Sequence, residues 1–342
     1  MGLRVGECND HAAWDVFVRS LPAASHYHIW KWKNVIEETY GHASQYLAAS
    51  QEGTIQGVLP LFLVKSRLFG RFLVSLPFLN YGGVLASSTD VQQALLVKAS
   101  EVAHELGARY VELRQGSAGN LGWQDVAFKV AMVVPLPKTV DELWRKLSSR
   151  LRNKIRSAMK HGLTVRWGGS EAVSAFYRVF APNMRNLGTP VYPRQWFENV
   201  CRITAHDSRV LTLWKEDRPI AATLITTFRD GVELPWIASL PEERKLHSTV
   251  LLYWTALEWA VQNGYRRVDL GRCTPGGGTY QFKRQWDCEE RPLHWYYWLA
   301  PGVPLPQLRP ENPRFRAAVW AWKRLPLGVA NWLGPRIVRS IP

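Results

Sequence analysis

One pattern occurs twice along this chain. The segments AHELGARYVEL (Ala103 to Leu113) and AVQNGYRRVDL (Ala260 to Leu270) match at Ala, Gly, Arg, Val and Leu in register, and they set Glu112 opposite Asp269. Each reads as the last turns of a helix, a glycine that stops it, and a strand. The residues upstream repeat as well. In the first half, Gln45 to Ser50, a turn at Glu52-Gly53 and Thr54 to Val64 read as a hairpin, and a further strand runs from Arg71 to Leu76. Pro77 and Gly82-Gly83 break the pattern before a helix, N-capped by Ser88 or Thr89, that runs to Leu106. In the second half, Val210 to Trp214, Pro219 to Phe228 and Val232 to Ala238 are strands separated by turns, and a helix from about His247 to Asn263 follows. A chance likeness of two common helix-to-strand junctions is the plain alternative, and the matching hairpins weigh against it.

Duplication predicts an α+β fold of two similar domains, placed at 1–137 and 138–300, with a basic, Trp-rich tail at 301–342. Meander, loop, helix and strand is also the order of a GNAT-type N-acyltransferase, a fold analogy that the family resemblance given below extends to two tandem GNAT-like domains sharing a cleft. Between the halves, Val140 to His161 reads as one amphipathic helix ended by Gly162. Leu143, Leu147, Leu151, Ile155 and Ala158 fall on one face, with Arg145, Arg152, Arg156 and Lys160 away from it. Such a cationic face is either simply solvated or an anion site.

A formal charge of +15 asks for an anionic partner: nucleic acid, phospholipid head groups or a phosphorylated substrate. Cys8, Cys201, Cys273 and Cys288 are too scattered for a disulfide framework and read as reduced thiols of a cytoplasmic protein. The first residues lack an apolar signal core, and no apolar run approaches the roughly 20 residues of a membrane span, which predicts a soluble or peripheral protein. Histidines form no metal-binding pair with nearby carboxylates, so no metal is expected. Neither a GxSxG elbow nor a nucleic-acid-binding signature appears.

The segment LGRCTPGGGTYQFKRQW, from Leu270 to Trp286, holds three consecutive glycines but fits neither GxxxxGK[ST] nor GxGxxG, which argues against a nucleotide cradle. It reads as a loop after a strand, with Thr279 capping a short helix that carries Tyr280, Phe282, Lys283, Arg284 and Trp286. A helix N-terminus together with Lys283 would stabilise an anion or a developing oxyanion. A glycine turn followed by a surface cation is the bland reading.

LRNKIRSAMKHGLTVR, NMRNLGTPVYPRQWFENV, VDLGRCTPGGGTYQFKRQW and PLHWYYW together resemble the FemAB-like, GNAT-related transferases, closest to the PEP-CTERM/exosortase-associated branch. LPFLNYGGVLA and the tail NPRFRAAVWAWKRLPLGVANWLGP extend the likeness over nearly the whole chain. The resemblance implies transfer of an acyl or aminoacyl group to an amine of a cell-envelope, peptidoglycan or exopolysaccharide precursor. No bound cofactor is implied; the donor co-substrate would be aminoacyl-tRNA or acyl-CoA. An acyl-CoA-dependent N-acetyltransferase and a degenerate scaffold protein are the alternatives. Carried over residue by residue, Lys283 stabilises the tetrahedral oxyanion beside Phe282; apart from the resemblance, the attacking amine must lose a proton, and Asp269 or a substrate group is a candidate acceptor. Substrate or donor contacts fall on Tyr81, Gly82, Gly83, Arg152, Arg156, Lys160, Arg185, Thr189, Tyr192, Arg272, Gly276, Gly277, Gly278, Thr279 and Tyr280. The expected partners are an anionic, lipid-linked precursor and tRNA, with 301–342 against the inner face of the cytoplasmic membrane. In the tail, Phe315, Val319, Trp320, Trp322, Leu325, Leu327 and Trp332 alternate with cations, as in a helix on an anionic surface. A terminal helix packed on the protein is the other reading.

Overall fold

The computed structural model describes residues 2–67, 70–306 and 313–341, so the parts of the predicted tail at 307–312 and 342 lie outside the described residues. The chain divides into two compact units: one of residues 1–129, 292–308 and 339–342, the other of residues 130–291 and 309–338.

The first unit begins with β1 (Arg4–Glu7), α1 (His11–Ser20) and α2 (Lys31–Tyr40), followed by β2 (Ala43–Gln51), β3 (Thr54–Ser66), β4 (Gly70–Val74) and the short β5 (Leu85–Ala86). Helix α3 (Thr89–Glu105), N-capped by the Ser88 hydroxyl, leads to β6 (Tyr110–Gln115). Strands β1 to β4 are antiparallel neighbours and β6 joins β4 in parallel. The central stretch of β3, Gly57 to Val64, is buried along its length, which is why it reads as a continuous apolar run and not an alternation. Leu59, Leu61, Leu95, Ala99, Val102 and Val111 form the core between sheet and α3. Trp14, Tyr46 and Phe62 form an aromatic cluster, with Trp14 and Tyr46 centroids 4.7 Å apart.

Strand β7 (Gln124–Pro135) carries the chain into the second unit, which continues with α4 (Val140–Lys146), α5 (Ser149–Met159) and β8 (Thr164–Gly168). Then come α6 (Val173–Leu187), α7 (Arg194–Ile203), β9 (Ser208–Lys215), β10 (Arg218–Phe228), β11 (Gly231–Ser239), α8 (Ser248–Gln262), β12 (Arg267–Cys273) and α9 (Gly278–Arg284). Strands β8 to β11 are antiparallel neighbours, and β12 joins β11 in parallel. The series β9, β10, β11, α8, β12 repeats β2, β3, β4, α3, β6, down to the parallel pair that closes it. The duplication read from the sequence is therefore a duplication of structure. The chain ends with β13 (Glu289–Leu299), α10 (Pro313–Trp322) and α11 (Leu327–Val338).

Three expectations need correction. The predicted helix from Val140 to His161 is two helices: Leu147 adopts ψ 142° and the Ser148 hydroxyl accepts from Leu151 N–H, so the chain ends one helix and caps the next between them. Thr279 does not cap α9; the cap is Gly277, extended at φ −74°, ψ 165° and without a side chain, and Thr279 lies inside the helix. Residues Pro292 to Leu299, placed by sequence in 138–300, belong to the first unit because β13 pairs antiparallel with β6 from Tyr110 to Gln115. Conversely, the end of β7, which follows β6 in sequence, pairs with β12 in the second unit. Each parallel pair is thus flanked by a strand from the far side of the sequence.

Candidate functional site

The site forms where β12 departs from regular pairing. Opposite β7 its register shifts between Asp269 and Arg272, and Gly271 inside the bulge has φ +82°. A Cβ there would meet Leu234 O at 3.2 Å and Lys283 Nζ at 3.6 Å, so glycine answers both the backbone angle and the space. The bulge exposes two carbonyls to α9. Lys283 is only 3% exposed and donates to Gly271 O at 2.8 Å and to Arg272 O at 3.2 Å. Asp269 Oδ1 accepts from Gly271 N–H at 2.7 Å and holds the turn of the bulge.

An ammonium has three N–H donors, and two are engaged here; the third has no partner among the described residues. Burial pushes Lys283 below the ordinary lysine range, opposed by the neighbouring Cys273, Asp269, Cys288 and Glu233. Glu233 stands beside Asp269 in the parallel β11–β12 register, and Thr226 of β10 follows in the same row. Glu233 escaped the sequence reading; its signal was a lone carboxylate within the apolar strand VELPW. Cys288 Sγ donates to Lys283 O at 3.2 Å, and burial pushes its thiol up to about 12, so neither metal ligation nor nucleophilic attack is favoured there. Tyr253 of α8 packs on Phe282 and stacks on Trp286, with centroids 5.2 Å and 5.7 Å apart, and fixes α9 from its apolar side. The bland reading of Lys283 as a surface cation is excluded by its burial.

The other predicted residues fall around this centre or away from it. Gly276 adopts φ +79° and Gly277 N–H donates to Thr274 O, so the glycines form a tight turn into α9; Gly278 and Thr279 are exposed. Tyr280 donates to Glu290 Oε1 at 2.7 Å. Arg272 is half-buried. Lys154 of α5 donates to Gln285 Oε1 at 3.2 Å, which ties that basic helix to the end of α9. On α5, the half-buried Arg152 side chain has no polar partner among the described residues, Arg156 lies 5.2 Å from the Trp144 ring centroid, and Lys160 is exposed. Arg185 is committed elsewhere, donating to Asn186 Oδ1 and, at 3.3 Å, to Leu325 O. Thr189 is exposed, and Tyr192 stacks on Trp196.

Tyr81, Gly82 and Gly83 belong to the first unit. Gly82, at φ +119°, and Gly83 are buried, and a Cβ would strike Leu76 Cδ1 at 2.1 Å or Gln115 Oε1 at 2.5 Å, which is a packing reason for both glycines. The loop is held by His28 Nε2, donating to Gly83 O at 3.1 Å, and by Arg114 Nη1, donating to Leu79 O at 2.7 Å.

The repeat register sets Arg114 opposite Gly271. Strand β6 has no bulge: it pairs with β13 without a shift from Tyr110 to Gln115. Arg114 and Glu112, each 1% exposed, form an ion pair at 2.8 Å, and Tyr297 donates to the second carboxylate oxygen. One copy of the duplicated junction is closed by a buried ion pair. The other is opened by a glycine bulge under a buried lysine.

Among the described residues no group of three or more His, Cys, Asp or Glu gathers to hold a metal ion, and no helix is long and apolar enough to cross a membrane. The paired, duplicated units define the class: this is a tandem GNAT fold. A family model described as "Acetyltransferase (GNAT) domain" matches residues 145–284, the stretch that contains the bulge and Lys283. Within that class the chain is similar to lipid II:glycine glycyltransferases. It is 26% identical over 259 residues to the lipid II:glycine glycyltransferase of Staphylococcus epidermidis, a match covering 68% of this chain and 59% of that protein. The matched region therefore spans little more than half the length of that relative. Among solved structures, FemX superposes with a TM-score of 0.68 at 17% identity, covering 86% of this chain and 97% of that one. A tandem GNAT protein from the clavulanic acid biosynthesis pathway gives 0.56 at 12% identity, covering 89% and 100%.

Proposed function

We propose that this protein is an acyltransferase of the aminoacyl-transferring kind, which forms an amide on a lipid-linked envelope precursor of the peptidoglycan type. The observation that carries the reading is the buried Lys283 ammonium with one unpaired N–H, set against a bulge whose positive φ favours glycine. The likeness to lipid II:glycine glycyltransferases supports the acceptor class.

In the reaction, the acceptor amine attacks the carbonyl carbon of an activated donor ester or thioester. A C–N bond forms and the carbonyl oxygen becomes an oxyanion, which takes the third N–H of Lys283. Two carbonyl bonds hold the ammonium in place before the charge develops, so little reorganisation is needed. Asp269, beside Glu233 on the neighbouring strand, accepts the proton lost by the amine. The C–O or C–S bond then breaks and the leaving group departs with a proton. The cations of α5, Arg152 first, supply charge for a phosphate-bearing substrate. Work at a lipid-linked acceptor places the protein on the inner face of the cytoplasmic membrane. Aminoacyl-tRNA is the favoured donor, acyl-CoA the alternative, and an exopolysaccharide-type amine of the PEP-CTERM-associated systems an alternative acceptor.

Purified protein is offered a panel of aminoacyl-tRNAs and acyl-CoAs with a lipid-linked muropeptide, with and without RNase. An RNase-sensitive amide product is expected. Amide formation from acyl-CoA alone reassigns the donor, and no product from any donor overturns the enzymatic reading in favour of a binding protein.

A further inference from the structure

We infer that the helical pair α10–α11 is a docking surface for an anionic lipid bilayer. The inner side of this pair is fixed to the second unit by close approach. Gly334 leaves no room for a Cβ, which would lie 2.8 Å from Val191 N, and Gly188, at φ +80°, abuts Val319 and Lys323. Arg185 donates to Leu325 O in the link between the two helices. Trp322, Ala330 and Val338 are buried. The packed alternative for the tail thus describes one side of it.

The other side is not covered. Trp320 is 59% exposed and Trp332 60%, with Val329 at 41%. Isolated exposed aliphatics are ordinary on a protein surface, but two largely bare indoles on adjacent helices are not. Both carry the same device. Arg324 stacks 3.7 Å from the Trp320 centroid and donates to Trp320 O, four residues back; Arg336 stacks 4.1 Å from the Trp332 centroid and donates to Trp332 O. Each unit presents a flat amphipathic ring with a guanidinium laid against it, which suits the boundary where acyl chains meet phosphate groups.

Charge selects the occupant. Positions 313–342 contain Arg314, Arg316, Lys323, Arg324, Arg336 and Arg339 and no Asp or Glu. A partner of opposite sign that also accepts bare indole and aliphatic side chains is an anionic membrane surface. Neither helix is long enough to cross it, so the contact is peripheral. This inference rests on the proposed lipid-linked acceptor only for its purpose, which is to hold the enzyme at the plane where such a substrate lies.

The test is co-sedimentation of the full chain with vesicles of phosphatidylcholine alone and of a phosphatidylglycerol-rich mixture, with neither donor nor acceptor present. Wild type is compared with the exposed double variants Trp320→Ser/Trp332→Ser and Arg324→Gln/Arg336→Gln, whose folding is checked by thermal melting. Salt-sensitive binding to the anionic vesicles is expected, weakened by about tenfold or more in each double variant. Absent binding, or equal binding by all three proteins, overturns the inference. A gel-shift with uncharged tRNA that weakens in these variants while vesicle binding does not would reassign the surface to RNA. Because vesicle binding requires no catalysis, a dead transfer assay does not count against the surface, and absent vesicle binding does not count against transfer to a soluble acceptor.

Discussion

Replacing Lys283 by Met keeps an unbranched stem in the buried slot and deletes only the ammonium. Two opposing effects act on stability. The carbonyls of Gly271 and Arg272 lose their donor, which costs about 1 kcal/mol each, while a buried charge no longer has to be desolvated. These nearly cancel, so the variant should fold, with a melting temperature within a few degrees of wild type. Catalysis has no such compensation. Loss of a preorganised donor to an oxyanion costs roughly 10² to 10³ in kcat, or about 2.7 to 4 kcal/mol, and the charge on this donor argues for the upper end. Single-turnover amide formation at saturating donor separates this from a binding defect, since KM should change little. The pH profile gives a second readout. Desolvation lowers the Lys283 pKa, so activity should fall as pH rises through a midpoint below the ordinary lysine value. The stability linkage runs in the matching sense: the buried ammonium costs stability in full below its depressed pKa, and that cost shrinks as pH rises from there to the ordinary lysine value. A folded Lys283→Met protein with wild-type kcat would refute the oxyanion role.

Gly271→Ala combines a left-handed backbone with a Cβ held 3.2 Å from Leu234 O; a loss of roughly 1–2 kcal/mol is expected in urea denaturation, with a larger loss of activity because the bulge orients Lys283. In the first unit, Arg114→Met leaves the Glu112 carboxylate buried and unpaired at a cost of about 3–5 kcal/mol, and adding Glu112→Gln should recover a large part of it. Burial lowers the His28 pKa to about 4, so its neutral form is bound in the fold. The stability it contributes is complete above the unfolded value near 6.5 and is lost as pH falls toward 4, a change of about 3 kcal/mol that His28→Gln should flatten in pH-dependent unfolding.

The duplicated hairpin, helix and strand were legible because each rests on local chemistry: apolar runs, turn residues, and glycines that stop α3 and α8 in the left-handed conformation or just beyond it. The break between α4 and α5 was not. Leu147 and Ser148 suit a continuous amphipathic helix as well as a boundary, and only packing of Leu143 and Leu151 into the unit favours two helices over one.

Sequence alone determined that this chain holds two related α+β modules, and its glycine spacing argued against a nucleotide cradle in the loop after Leu270. It also singled out Lys283 and Asp269. Tertiary structure decided the rest, because it depends on residues far apart in the chain. Strands β7 and β13 find partners more than 130 residues away in the sequence, where no local signal reports pairing. The same residue row carries Arg114 in one copy and Gly271 in the other, and only the fold reveals that the first seals its junction with Glu112 while the second opens a bulge. A lysine in FKR reads as a surface charge until the strand beside it offers two carbonyls, and burial there lowers its pKa.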